Sequence, residues 1–140
     1  MAQEDQELIV LDAWPVLELL FDQPHAQKVD GLLHRVRLSG IDLPICAVNW
    51  GEALYRLMQT HGEGARDTAL EKLTRLPIAP VAAGPYLASR AARLKAGSGL
   101  GYADCFAAAL AITLDAPLAT GDPDFRTLEP QGLRLHWLGD

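Results

Sequence analysis

The chain is 140 residues long, 49% hydrophobic and 21% charged, with a formal net charge of −6. Those proportions suit a single globular domain over residues 1–140, and no apolar run reaches the length of about 18 residues that a membrane helix needs. The acidic balance opposes broad electrostatic binding to nucleic acid, but it leaves open an enzyme whose metal ions neutralise phosphate locally, and it suits a basic protein partner.

The opening Met1–Glu7 is acidic and polar, the opposite of a secretory signal, so a cytoplasmic location is expected. Leu8–Asp12 reads as a buried strand. Pro15, suited to a first helical turn, begins a helix to Phe21. Gln23–Leu38 forms a second helix, with Val29, Leu32, Leu33 and Val36 at three- and four-residue spacing. Leu43–Val48 is the next strand, and Asn49 is the predicted N-cap of a helix running to about Thr60. Helix Glu63–Leu76, strand Pro77–Val81 and helix Gly84–Lys95 follow. The glycine loop Gly97–Gly101 leads into helix Tyr102–Leu114, then come a short strand around Leu118, a turn, and a final strand Leu133–Trp137. This alternation predicts an α/β fold, a three-layer α/β/α sandwich with a mostly parallel sheet. Cys46 and Cys105 lie unpaired in apolar segments and read as small buried hydrophobes in a reducing compartment.

Chemistry enters with four acids. Asp12 closes the first strand, Glu52 lies in the first turn of the helix after the second, Asp104 opens the helix from Tyr102, and Asp122 follows the strand at Leu118. In a parallel sheet, ligands bind at the carboxyl ends of the strands, so four acids placed there converge on one cleft. Carboxylates gathered without basic partners repel one another, which makes sense with Mg²⁺ or Mn²⁺ among them. Each acid also has a structural reading. Asn49-Trp50-Gly51-Glu52 fits a capping box, Asp122 before Pro123 fits a helix cap, and Asp104 fits a dipole-complementing first-turn acid. Asp12 is the hardest to explain that way, and it is the joint placement that favours a site. Asp124 is a candidate supporting residue.

The four histidines, His25, His34, His61 and His136, make no metal site, and the glycines at 97, 99 and 101 lack a dinucleotide fingerprint. Arg90, Arg93 and Lys95 form a basic cluster before the glycine loop, either a solvated helix end or a hold for phosphates beside the acidic cleft.

Ile9-Val10-Leu11-Asp12, Asn49-Trp50-Gly51-Glu52-Ala53-Leu54, the run from Tyr102 to Ala111, and Pro117-Leu118-Ala119-Thr120-Gly121-Asp122-Pro123-Asp124-Phe125 together resemble the PIN-domain nucleases. Within them, the chain looks most like the VapC toxins of bacterial and archaeal toxin–antitoxin pairs. The resemblance spans nearly the whole chain, and its last two blocks are the most specific. It implies a divalent-metal-dependent endoribonuclease inhibited by an antitoxin, with Asp12, Glu52, Asp104 and Asp122 as the acidic quartet and Thr120 a polar neighbour of the metal. It also implies an RNA substrate and a homodimer, as related toxins commonly dimerise. Trp14 departs from the pattern, standing where many members carry a small hydroxyl residue, which puts in doubt any hydrogen bond from that position.

The expected chemistry is phosphodiester hydrolysis, with Asp12, Asp104 and Asp122 holding Mg²⁺ or Mn²⁺ and Glu52 holding a second ion or orienting the attacking water. Two rivals compete with it. An aspartyl-phosphate phosphotransferase would need a second acid where Trp14 stands, and a catalytically degenerate PIN domain would act only as a protein-binding module. The inhibitor is expected to carry a basic segment that enters the acidic cleft.

Overall fold

The computed structural model describes residues 7–140; residues 1–6, most of the acidic opening, lie outside the described part. The elements run β1 (Val10–Leu11), α1 (Ala13–Leu20), α2 (Ala26–Ser39), β2 (Leu43–Cys46), α3 (Ala47–His61), α4 (Ala65–Thr74), β3 (Ile78–Val81), α5 (Pro85–Ala96), α6 (Tyr102–Thr113), β4 (Leu118–Thr120), a 3₁₀ helix (Pro123–Gln131) and β5 (Leu135–Trp137).

The five strands lie in the order β3-β2-β1-β4-β5, and every pairing is parallel. Successive side chains of a strand point to opposite faces, and both faces here are covered by helices, so β1 and β2 in the middle of the sheet are apolar and buried throughout. Val10 and Leu118 face the layer of α5, α6 and the 3₁₀ helix, packing with Ala91, Phe106, Leu110, Phe125 and Leu128. Leu11 and Ala119, the next residues along, face the layer of α1, α2 and α4, packing with Val16, Leu32, Leu33 and Leu73. This is the α/β/α sandwich the sequence implies.

Helix α6 is buried on almost every side, with Ala107, Ala108, Ala109 and Ala111 in its interior. A helix without a solvated face belongs at the centre of a fold, and small side chains let it approach its neighbours closely.

Several expected boundaries move. Leu8 is exposed and β1 contracts to the residues that pair with β2 and β4. Ala47 and Val48, expected in a strand, already belong to α3. Asn49 is therefore not a cap but a fully buried residue inside that helix, and the capping box with Glu52 does not form, since its place at the helix start is taken by Cys46 with no side-chain cap. Residues Gln23 to His25 form a turn before α2, where the His25 backbone N–H donates to Glu18 Oε2 at 3.1 Å. The turn after β4 is a nine-residue 3₁₀ helix, and β5 is shorter than expected.

Candidate active site

The chain builds outward from β1 in one direction to β2 and β3, then crosses back to place β4 and β5 on the other side. The reversal falls between β1 and β4, paired as Val10 with Leu118 and Leu11 with Ala119. Crevices open at such switch points, beyond the strands' carboxyl ends. Asp12 and the Thr120–Asp122 segment emerge there side by side.

Asp12 is only 3% exposed. Its backbone N–H donates to Ala119 O at 3.3 Å, and its Oδ2 accepts from Thr120 Oγ1 at 2.9 Å. Thr120 is fully buried and in turn accepts from the Asp122 backbone N–H at 3.1 Å. One hydroxyl thus ties the acid after β1 to the acid after β4. Asp122 Oδ1 accepts from the Asp124 backbone N–H at 2.9 Å, so Asp122 does cap the 3₁₀ helix, as its structural reading holds. That bond occupies one carboxylate oxygen and fixes the side chain's orientation. Asp124 is exposed and contributes its backbone to the cap and its charge to the site.

Glu52 and Asp104 complete the cluster from above. Asn49 Nδ2 donates to Ala103 O at 2.9 Å, joining α3 to the first turn of α6 just before Asp104. Glu52 is one turn further along the same helix, and Arg56 Nη1 stands 4.0 Å from Glu52 Oε2. The Oδ1 of Asn49 is buried with no hydrogen-bond partner.

Burial and charge raise the proton affinity of three of these acids. Burial pushes the Asp12 carboxyl up to about 7, with the charges of Asp104 and Glu52 adding to the rise and the Thr120 hydroxyl opposing it. Asp104 rises to about 6, first through burial and then through Glu52, Asp122 and Asp124. Burial also raises Glu52, against the pull of Arg56 and Asn49. Burial and neighbouring carboxylates therefore disfavour the ionised forms of Asp12 and Asp104, and burial disfavours that of Glu52. Asp12 feels the charges of Asp104 and Glu52, and Asp104 those of Glu52, Asp122 and Asp124, so these acids lie within electrostatic reach of one another.

Hard carboxylate oxygens with raised proton affinity are the donor set that Mg²⁺ or Mn²⁺ takes, so the residues present fit such an ion by chemistry. Among the described residues, no three Asp, Glu, His or Cys side chains already form a group that could hold a metal ion. His25 packs against the Trp14 ring at 5.4 Å and lies 3.7 Å from Glu18.

Trp14 explains a glycine. A Cβ on Gly121 would lie 2.2 Å from Trp14 Cζ2, so the indole lies directly against the backbone between Thr120 and Asp122. Three features escaped the sequence reading: the buried Asn49 link, the Arg56 charge beside Glu52, and this contact. The helical spacing of Asn49, Glu52 and Arg56 by three and four residues was the available signal for the first two.

An acidic cleft at the switch point of a fully parallel α/β/α sandwich defines the class of protein. The PIN domain family matches residues 9–129, and the chain belongs to that family. Its fold is similar to that of VapBC2 from Rickettsia felis bound to a DNA fragment from their promoter, with TM-score 0.71 and 15% identity over 92% of this chain and 97% of that one. The DNA-bound VapBC from Salmonella typhimurium is similar at TM-score 0.71 and 15% identity, over 95% and 99% of the two chains. VapC20 of Mycobacterium tuberculosis, a sarcin–ricin loop cleaving toxin, is similar at TM-score 0.69 and 13% identity, over 85% and 93%. No curated protein matches the sequence significantly.

Proposed function

We propose that this chain, acting as one domain, is a divalent-metal-dependent endoribonuclease and the toxin of a toxin–antitoxin pair. The observation that carries the reading is the convergence of Asp12, Glu52, Asp104 and Asp122 at the β1–β4 crevice, with Asp12 and Asp104 raised to about 7 and about 6. Membership of the PIN family supports nuclease chemistry. Asp12, Asp104 and Asp122 would hold Mg²⁺ or Mn²⁺, with Glu52 beside them. The bound ion supplies an acidified water and neutralises charge on the phosphoryl oxygens.

The chain's own residues do the rest. Thr120 holds Asp12 and the Asp122 backbone in register, and the Asp124 backbone N–H turns the Asp122 carboxylate. Glu52, half-buried and raised, is suited to orient the attacking water and accept its proton. In-line attack leaves a 5′-phosphate and a 3′-hydroxyl.

The similar VapBC structures and a toxin–antitoxin complex from Klebsiella pneumoniae support a cognate antitoxin; its basic segment would seat an Arg or Lys among the acids, and the toxin would act in the cytoplasm as a homodimer. The test is Mn²⁺-dependent cleavage of structured RNA, set against phosphate release from a small phosphomonoester. Cleavage should need the metal and vanish in a folded Asp104→Asn variant. Wild-type cleavage by that variant would sink the site, and phosphomonoester turnover alone would favour phosphotransfer. The absence of both, with an antitoxin still bound, would favour a binding module.

A further inference from the structure

We propose that the groove between α5, α6 and the 3₁₀ helix binds the phosphates of a single-stranded RNA segment flanking the cleaved bond, with Arg90 and Arg93 as its contacts. The inference rests on the ribonuclease reading above. The groove encloses about 580 Å³, and Tyr86, Arg90, Arg93, Ser98, Thr127 and Gln131 supply its polar lining, which contains no carboxylate.

Charge singles this groove out. The chain has 18 acidic and 12 basic residues, yet α5 carries Arg90, Arg93 and Lys95 and no acid. Arg56, Arg66, Arg75, Arg126 and Arg134 each stand within 4.0 Å of a carboxylate. Among the described residues, Arg90 and Arg93 have no such partner, nor do Lys28, Arg35, Arg37, Lys72 and Lys95, but Arg90 and Arg93 line one groove together with no carboxylate in it. The favourable interaction of cations with a helix C-terminus accounts for Arg93 and Lys95 in the last turn of α5, but not for Arg90 near its middle.

Arg90 is also held in place. Its Nη1 donates to the Tyr86 hydroxyl at 2.7 Å, and its guanidinium lies over the Tyr86 ring, 5.6 Å from the centroid. A long side chain ordered beforehand loses less entropy on binding, and a guanidinium held this way keeps donors for phosphate. Ser98, Thr127 and Gln131 add groups able to meet a 2′-hydroxyl.

The groove shares its elements with the acidic cleft. Ala109 and Ile112 in its wall lie on α6 beyond Asp104, about 8 to 12 Å along the axis at 1.5 Å per residue. Thr127 and Gln131 lie on the 3₁₀ helix that Asp122 caps. The acids and the two guanidiniums are thus carried by the same and adjoining elements, close enough for one RNA strand to touch both.

The test uses the Asp104→Asn chain as a binding-only protein and a fluorescein-labelled single-stranded RNA followed by anisotropy across a KCl series. Adding Arg90→Gln and Arg93→Gln should weaken binding about tenfold and flatten the slope of log Kd against log salt by about 1.4, two single-strand contacts at about 0.7 each. In the active chain, the same pair should raise KM roughly tenfold for a long RNA with kcat within about twofold, and leave unchanged an oligonucleotide too short to leave the cleft. Unchanged Kd and salt slope overturn the proposal, as does a pair of substitutions that alters only self-association in sedimentation, which would mark the groove as a contact between copies. If the pair is silent while cleavage still depends on Asp104, the groove inference falls and the ribonuclease reading stands. Binding that follows the pair in a chain without cleavage leaves the groove an RNA site and fells the ribonuclease reading.

Discussion

Replacing Asp12 by Asn should make the stability of this protein less dependent on pH. The Asp12 carboxyl rises from 3.8 to about 7, burial being the main cause and Asp104 and Glu52 adding to it. A carboxyl raised on folding favours the folded state fully below its unfolded value of about 4, and that stability is lost as pH climbs through about 7. At about 1.4 kcal/mol per unit, the loss reaches about 1.6 kcal/mol near pH 5 and about 4 kcal/mol near pH 8. Asn keeps the volume and an oxygen to accept from Thr120, but carries no charge. Its new amide N–H group costs about 1 to 3 kcal/mol if unpaired, equally at every pH, so it cancels from the comparison. In urea melts with chelator, the variant should therefore gain about 3 kcal/mol on the wild type between about pH 5 and about pH 8. Mn²⁺ at about 100 times its dissociation constant should then restore about 2.7 kcal/mol to the wild type alone. A stability difference that ignores pH, or that moves against the variant as pH rises, would refute the reasoning.

Gly121→Ala should cost about 1 to 3 kcal/mol, because its Cβ would stand 2.2 Å from Trp14, and part of the loss should return with Trp14→Leu; equal losses in both backgrounds in thermal melts would contradict the contact. Thr120→Val removes both the donor to Asp12 and the acceptor for the Asp122 N–H, so melts should show about 1 to 3 kcal/mol lost and the pH at which Asp12 titrates moved further up. Asn49→Ala leaves Ala103 O without its donor and should lower stability by about 1 to 3 kcal/mol while slowing cleavage; an unchanged melt would show that the link between α3 and α6 carries no weight.

The readable parts of the fold were those with a local signal. Apolar runs marked the buried strands, and the spacing of Val29, Leu32, Leu33 and Val36 marked α2. The acids were readable because each follows a strand or opens a helix, and topology brings such positions together. Asn49 was misread because a cap and a buried helix residue look alike until the partner is known, and that partner, Ala103, lies 54 residues away. The 3₁₀ helix left a fainter trace: Phe125 and Leu128 are buried three residues apart, the period of that helix, but two prolines made the segment look like a turn. Trp14 was visible as a departure, while its consequence for Gly121 depends on a chain crossing that no local pattern encodes.

The hydroxyl bond from Thr120 to Asp12 spans 108 positions of the sequence. During synthesis, Asp12 leaves the ribosome long before the segment that completes its surroundings. Until residues 118–122 insert beside β1, the first acid has neither the β4 backbone nor the Thr120 hydroxyl, and Asp122 is absent from the cleft altogether. Pairings this distant in sequence form slowly relative to local helices. A nascent or truncated chain thus holds isolated acids rather than an assembled cleft, and the cleft comes into being with the crossover that brings β4 back beside β1.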